Sequence, residues 1–261
     1  MSDDSAPTCL ADTWSDLSAK GYAITTDEAL GLPEKFRANF GQTYFNDQVL
    51  EDDPGGKPPG RKRARDVILY KWRDGDLHVQ EHKKITIKDR DGRPGEREHA
   101  RVDLLNDPQA EELIRTLLSL VPPDQRQSDG TFGVNLFRTV KDVVTSPHHD
   151  HEELCVIYVL DRVGGGAQTQ LYKPDDVSDQ GKPTADPVLT HQLNPGEIII
   201  FKDDLFKHST TPLEPSSGET AQRDVVVCTV DYRETYLAPP ALEVTGADGS
   251  NAVTGALTRC P

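Results

Sequence analysis

The tetrapeptide His148-His149-Asp150-His151 lies between a strand-like run at residues 133–140 and an apolar run at residues 154–160. Four consecutive side chains that can bind a metal are unusual beside a buried strand. In an extended chain alternate residues point the same way, so His148 and Asp150 would share one face and His149 and His151 the other. The tetrapeptide therefore offers either a His-x-Asp or a His-x-His pair of ligands, and the two pairs indicate different classes of protein.

The chain around the tetrapeptide is predicted to be rich in strands. Turn residues separate short strand-like runs, which is typical of a β-sandwich or a barrel. These runs cover residues 133–140, 154–162, 168–172, 188–193, 197–202 and 224–232. The first half is mixed, with a β-hairpin over residues 66–81 and a helix that Asp107 caps, that Pro108 opens and that Pro122 ends. We predict a single domain with a loosely ordered tail or flap at residues 237–261.

The charge and composition of the chain limit which partners and which cellular location we expect. The formal net charge of -15 argues against a nucleic-acid backbone or an anionic membrane surface as the main partner. No apolar run approaches the roughly 18 residues of a membrane span. The acidic N-terminus lacks the features of a signal peptide, and the four cysteines form no C-x-x-C pair. Cys155 and Cys228 lie in apolar runs and are predicted to be core residues, so we expect a cytoplasmic protein.

A third metal ligand is found in the second half of the chain. His208 follows Asp150 by 58 residues, which leaves room for strands to run away and return. Two histidines and one carboxylate form the facial triad of non-haem Fe(II) oxygenases, which leaves other coordination positions open for substrate and O₂. The set His148, Asp150 and His208 is therefore the first candidate metal site.

Several arginines are candidates for binding an anion. Arg223 opens an apolar strand, where a guanidinium must be paired because burying it alone is costly. It suits the carboxylate of a small ligand, bound by two parallel hydrogen bonds, although a structural ion pair would also explain it. Arg138 is a second candidate. The basic run at residues 61–65 is either a solvated face or a group of contacts for an anionic substrate.

A competing metal site uses His149, His151 and Glu153, an arrangement similar to the His-x-His opening of a cupin. The second cupin motif places Pro-x-Gly a few residues before its last histidine, whereas here Gly196 precedes His208 by 12 residues. This reading predicts a metal-binding protein or an isomerase without oxygenase activity, and it ranks second.

The order of motifs resembles that of the Fe(II)/2-oxoglutarate-dependent dioxygenases, and most closely the bacterial free-amino-acid hydroxylases typified by isoleucine 4-hydroxylase. The motifs that carry the resemblance are His148-x-Asp150, Arg162-Val-Gly-Gly-Gly, Pro195-Gly-Glu, Asp203-Asp204, His208-Ser-Thr-Thr-Pro and Arg223-Asp-Val-Val-Val. The resemblance implies a mainly β fold with flanking helices and a double-stranded β-helix core, similar to a jelly roll or cupin. The catalytic domain would span residues 1–236, with residues 12–125 packing on a core at residues 130–236.

The resemblance also implies an activity. Fe(II) would be bound by His148, Asp150 and His208, and Arg223 would hold the distal carboxylate of 2-oxoglutarate. The enzyme would hydroxylate an unactivated C–H bond of a small polar metabolite, with a free L-amino acid expected, while 2-oxoglutarate and O₂ become succinate and CO₂. Three substrate contacts are predicted from the residues themselves: Arg138 for a carboxylate, Glu152 for an ammonium group, and Tyr158. Tyr158 has the same side-chain parity as Asp150 along an extended strand, so it is expected to face the barrel interior. The oligomeric state is left open.

Overall fold

The computed structural model describes residues 10–52, 60–82, 102–140, 145–216 and 220–231. The predicted tail at residues 237–261 lies outside the described residues. The described residues form three α-helices, α1 (Leu10–Lys20), α2 (Phe36–Tyr44) and α3 (Pro108–Ser119). The capping prediction for α3 is confirmed, because Asp107 accepts a hydrogen bond of 2.9 Å from the backbone N–H of Gln109.

Strands dominate the rest of the described chain. In chain order they are β1 (Tyr22–Thr26), β2 (Glu51–Asp52), β3 (Arg61–Arg73), β4 (Asp76–Glu81), β5 (Asp129–Val140), β6 (Thr145–His148), β7 (Leu154–Val163), β8 (Gly165–Gly166), β9 (Thr169–Tyr172), β10 (Leu189–His191), β11 (Glu197–Lys202), β12 (Lys207–Thr210), β13 (Leu213–Glu214) and β14 (Gln222–Asp231). No helix among the described residues is long and apolar enough to cross a membrane.

A wide antiparallel sheet forms one wall of the molecule. Its strand order is β1-β11-β7-β14-β5-β3-β2, and β4 also pairs with β3. The predicted hairpin is confirmed: β3 and β4 join through Asp74 and Gly75, whose φ angles are +52° and +90°. Positive φ at both loop residues fits the right-handed twist of the two strands, which is why an Asp-Gly pair stands here.

A narrow sheet of order β10-β9-β12-β6 faces the wide sheet. Residues from both sheets pack between them, including Leu171 of β9, Phe201 of β11 and Val225 of β14. We call the side of the wide sheet that looks toward this space its inner face. The opposite, outer face packs against the helices and carries the larger part of the core. The two facing sheets confirm the predicted mainly β fold with a double-stranded β-helix core.

The helix α3 covers the outer face because its apolar residues repeat every three or four positions. Leu113, Ile114, Leu117 and Leu118 are all buried there, as the sequence pattern predicted. Both cysteines that were predicted to be core residues, Cys155 and Cys228, are buried and unbridged. The helix therefore covers the outer face of the sheet and does not enter the space between the two sheets.

Candidate active site

The side chains of His148, Asp150 and His208 come together at one end of the space between the sheets. His148 ends β6 and lies directly opposite His208 on β12. The Nε2 atoms of the two histidines lie 3.6 Å and 3.7 Å from the two carboxylate oxygens of Asp150. One ligand atom from each residue lies within 4.8 Å of the others, so the three could hold one metal ion.

The imidazole of His148 directs its Nε2 atom toward this cluster. Its Nδ1 lies 2.8 Å from the backbone oxygen of Ser146 and donates to it, which leaves the Nε2 lone pair facing Asp150. Burial lowers the pKa of His148, and the neighbouring His208 lowers it further. The imidazole is therefore held in the neutral form that binds metals.

A buried carboxylate shapes the turn that carries Asp150. The carboxylate of Asp203 accepts hydrogen bonds from the backbone N–H groups of Asp150, His151 and Glu152, at 3.2, 2.6 and 3.2 Å. It also faces Nδ1 of His208 at 3.6 Å. Burial alone would raise the pKa of Asp203, but His208 and the N–H donors outweigh burial and hold this pKa below its usual range.

Sequence reasoning missed the role of Asp203. The only signal is the position of an Asp-Asp pair directly after an apolar strand, and nothing in the sequence says which member turns inward. The structure does: Asp203 is buried, whereas Asp204 is exposed. Outer carboxylates that orient metal-binding histidines and loops in this way are a common part of metal sites.

The competing His149/His151 pair is not arranged as a ligand set. Nδ1 of His149 is hydrogen-bonded to the backbone oxygen of Asp203 at 2.5 Å. The ring centroids of His149 and His151 lie 5.9 Å apart. Among the described residues, the group that gathers three metal-binding side chains is that of His148, Asp150 and His208. The geometry therefore supports the His-x-Asp pair of the tetrapeptide over the His-x-His pair.

Arg223 lies on the inner face of β14 and is almost completely buried, with 7% of its surface exposed. Its Nε and Nη2 atoms have no hydrogen-bond partner among the described residues. Burial lowers its pKa to about 10, and the nearby Arg162 contributes to the shift. Arg162 itself donates to the backbone oxygens of Gly164, Leu193 and Gly166. A buried, incompletely paired guanidinium of this kind has the chemistry to bind an anion.

A buried hydroxyl points into the same space. Thr169 shares a face of β9 with Leu171, which packs between the sheets, and its Oγ1 is buried without a hydrogen-bond partner among the described residues. Thr169 was not predicted to be a site residue, because a lone threonine in a strand carries no signal of its own. With Arg223 it supplies polar donors inside an otherwise apolar interior.

Two predicted substrate contacts are corrected by the structure. Arg138 makes a bidentate ion pair with Asp224, at 2.8 and 2.6 Å, on the outer face of the sheet, so it is a structural residue. Tyr158 is fully buried in the core beneath the helices and donates to Asp27 at 2.8 Å, so the prediction that it faces the barrel interior is wrong. Glu152 lies in the turn that Asp203 binds, and its contact with substrate stays a prediction.

The donor set fits the metal that the motifs implied. Two imidazoles and one carboxylate suit Fe(II), and the hydrogen bond from His148 to Ser146 fixes the tautomer that leaves Nε2 of His148 as the ligand atom. Cys155 lies beside the site, with its Sγ 3.7 Å from Asp150. Burial raises the pKa of Cys155 well above its usual value, so the thiol is neutral and donates to the carboxylate.

Comparison with solved structures shows where this fold occurs. A bsmA homologue from Methylobium petroleophilum PM1 superposes with a TM-score of 0.69 at 20% identity, covering 88% of this chain and 96% of that chain. The Fe(II)/(alpha)ketoglutarate-dependent dioxygenase TqaL gives 0.66 at 13% identity, with 85% and 86% covered. IDO from Bacillus thuringiensis gives 0.59 at 16% identity, with 86% and 99% covered.

Comparison of the sequence with family models identifies the family. The model described as 2OG-Fe dioxygenase matches residues 44–229, more than two thirds of the chain. No curated protein matches the sequence. The matched region contains the three candidate metal ligands and Arg223. The chain is therefore a dioxygenase enzyme that uses Fe(II), 2-oxoglutarate and O₂, as the motifs predicted. The chain belongs to the 2OG-Fe dioxygenase family.

Proposed function

We propose that this enzyme hydroxylates an unactivated C–H bond of a small polar metabolite, and that the substrate is a free L-amino acid or a close derivative of one. The observation that carries the proposal is the joint placement of the His148, Asp150 and His208 cluster and the buried Arg223 on the walls of one interior space. The cluster provides a site for a metal, and Arg223 provides a separate site for an anion.

In this proposal each residue has a defined role. His148, Asp150 and His208 hold Fe(II), and Asp203 orients His208 and the Asp150 turn. Arg223 binds the distal carboxylate of 2-oxoglutarate, which supplies the counter-charge for the buried guanidinium. The hydroxyl of Thr169 donates to the same carboxylate.

When bound, iron and 2-oxoglutarate together activate O₂ and provide the oxidising power, while the co-substrate becomes succinate and CO₂. The protein's own contribution is to hold the ligands, exclude water and aim one C–H bond. The apolar residues between the sheets, such as Leu171, Phe201 and Val225, keep this interior dry.

The first experiment tests the metal and the co-substrate. The apo-protein is titrated anaerobically with Fe(II) and 2-oxoglutarate, and the visible charge-transfer band of the chelated keto acid is followed. We expect the band in the wild type and in His149→Ala, but not in His148→Ala. Absence of the band in a protein with bound iron would contradict the proposal, and a band lost in His149→Ala instead would favour the competing ligand pair.

The second experiment tests turnover. L-amino acids are screened for release of succinate that depends on Fe(II), 2-oxoglutarate and the amino acid together, and the product is identified by mass. We expect one amino acid or close derivative to be converted with a gain of one oxygen atom. Turnover that survives Asp150→Ala would count against the proposal, because the metal site would have lost its carboxylate.

A further inference from the structure

Two arginines lie side by side at one end of the space between the sheets. Arg162, near the end of β7, is paired directly with Arg223 of β14. Directly paired residues of antiparallel strands point to the same face, with Cβ atoms about 4.5–5.5 Å apart. Nη1 of Arg162 donates at 3.1 Å to the backbone oxygen of Leu193, which is buried in the cluster between the sheets. Arg162 therefore belongs to the inner face, next to the arginine that we propose for the co-substrate.

The two guanidinium groups give this end of the site two positive charges. Neither of them makes an ion pair with a carboxylate in the part of the chain that the structure describes. Burial lowers the pKa of Arg162, and no carboxylate opposes that shift; burial and Arg162 together lower the pKa of Arg223 to about 10. Of the nearby acidic residues, Glu197 faces His191 at 3.3 Å, and Glu214 is exposed. The protein thus supplies backbone carbonyl oxygens to Arg162 but no counter-charge to the pair.

Arg162 also holds the turn that leads to Thr169, the buried hydroxyl of the same space. Its Nε donates to the backbone oxygen of Gly164 at 3.0 Å, and its Nη2 donates to that of Gly166. Gly166 has a φ of +66°, and a Cβ at this position would collide with the backbone oxygen of Pro212. The turn therefore has little freedom to move away from Arg162, and the guanidinium is fixed beside the anion site.

The basic run at residues 61–65 does not share this arrangement. It forms the first part of β3 and is partly to fully buried, so it is not a solvated face. Arg63 lies opposite Glu51 of β2, and its Nη2 donates to Oδ1 of Asn135 at 3.1 Å. The first and last arginines of the run also make interactions within the protein. The run therefore has partners of its own and adds nothing to the argument for an anion site.

We infer that Arg162 is a second residue that determines co-substrate specificity: its charge, added to that of Arg223, selects 2-oxo acids that carry a distal carboxylate. The inference rests on the proposed function and deepens it. A carboxylate held by Arg223 is attracted by both guanidinium groups, whereas a 2-oxo acid without a distal carboxylate gains nothing from either charge. Arg162 acts on the ligand through its charge and through the turn that it holds, and Arg223 makes the direct hydrogen bonds.

The test compares two 2-oxo acids of the same chain length. 2-Oxoglutarate carries the distal carboxylate, and 2-oxopentanoate has a methyl group in its place, so both present the same chelating end to the metal. The protein is loaded with redox-inert Mn(II), and the Kd of each acid is measured by calorimetry. The ratio of the two Kd values gives the preference for the distal carboxylate, and damage to the metal site that weakens both acids alike cancels in this ratio.

Variants at position 162 separate the charge from the structural role. Arg162→Gln removes the charge but keeps an N–H donor for the carbonyl oxygens, Arg162→Met provides a second neutral variant, and Arg162→Lys keeps the charge. Arg115→Met is the matched control, because Arg115 of α3 also donates to a backbone oxygen, that of Leu77, but on the outer side of the sheet. Urea unfolding shows which variants are folded.

We expect the neutral variants to lower the preference for 2-oxoglutarate about tenfold, since a unit charge one strand away is lost from a partly buried site. Arg162→Lys should retain most of the preference, and Arg115→Met should retain all of it. The inference is overturned if a folded neutral variant keeps the wild-type ratio, or if Arg162→Lys lowers the ratio as much as Arg162→Gln does.

Arg223→Met distinguishes this failure from failure of the proposed function. If Arg223→Met loses the preference and Arg162→Gln keeps it, the role of Arg162 alone is rejected. A wild type that binds 2-oxoglutarate no more tightly than 2-oxopentanoate rejects the proposed role of Arg223 as well.

Discussion

Replacing Asp203 by asparagine tests whether this residue holds the metal-binding turn in place. The substitution preserves the shape of the side chain and removes the charge. In the wild type, Oδ1 accepts from the backbone N–H of Asp150 and Oδ2 accepts from those of His151 and Glu152. Asparagine has one oxygen and one NH₂ group, so one of these sites must become a donor facing another donor.

The size of the effect follows from these contacts. If the NH₂ group takes the Oδ1 position, the N–H of Asp150 is left without its acceptor, and the imidazole of His208 loses its facing carboxylate oxygen. The other orientation leaves two N–H groups without acceptors and costs more. A buried N–H group without an acceptor costs about 1–3 kcal/mol. We therefore expect metal affinity to fall about tenfold to a hundredfold, the range found when groups supporting metal ligands are removed.

The assay is a competition titration of Mn(II) or anaerobic Fe(II) against a chelator, with the 2-oxoglutarate charge-transfer band as a second readout. Asp204→Asn is the matched control, because it makes the same change at the next residue, where the side chain is exposed. The reasoning is refuted if Asp203→Asn binds metal as tightly as Asp204→Asn and gives an unchanged band.

Three further predictions concern buried charges elsewhere. Arg223→Met should raise the Kd for 2-oxoglutarate about tenfold or more, yet leave the unfolding free energy equal or higher, because it removes an incompletely paired buried charge; equilibrium dialysis and urea unfolding measure the two effects. Arg138→Met should instead destabilise the fold by about 2–3 kcal/mol in urea, since it strands the buried carboxylate of Asp224, with 2-oxoglutarate affinity unchanged; an unchanged urea midpoint would refute the structural role. Burial, with the neighbouring Glu81, raises the pKa of Asp66 from 3.8 to about 8. The stabilisation from such a raised pKa is fully present below the pKa of the unfolded state and is lost as the pH rises through the pKa of the folded state. Stability should therefore decline between about pH 4 and 8, and Asp66→Asn should flatten this decline in urea titrations.

The elements with a strong pattern could be predicted from the sequence. Apolar runs marked β7, β11 and β14, and the spacing of leucines together with Asp107 marked α3. The strands that carry the histidines were not predicted. Both β6 (Thr145–His148) and β12 (Lys207–Thr210) have four residues, mostly polar, and β6 contains Pro147. Their conformation depends on pairing with each other, which no local pattern records.

The residues of the candidate site also divide into those that could be predicted from the sequence and those that could not. The ligand residues could be named because a His-x-Asp pair and a distant histidine are a chemical pattern. The error over Tyr158 has a specific cause: its orientation was counted from Asp150 by strand alternation, but His151 has a φ of +62°, so the chain between them is not extended. The partner of Arg138 is 86 residues away, beyond the reach of any local reading.

Two arginines on adjacent strands show how pairing separates structure from function. Arg138 and Arg223 belong to neighbouring rows of the β5–β14 ladder, but they point to opposite faces. Arg138 is neutralised by Asp224 within the protein. Arg223 is more deeply buried and faces a second arginine, so the fold gains no stability from its charge. A ligand carboxylate would resolve this imbalance, so a given concentration of 2-oxoglutarate should stabilise the wild type against unfolding more than it stabilises Arg223→Met, which binds the co-substrate less tightly.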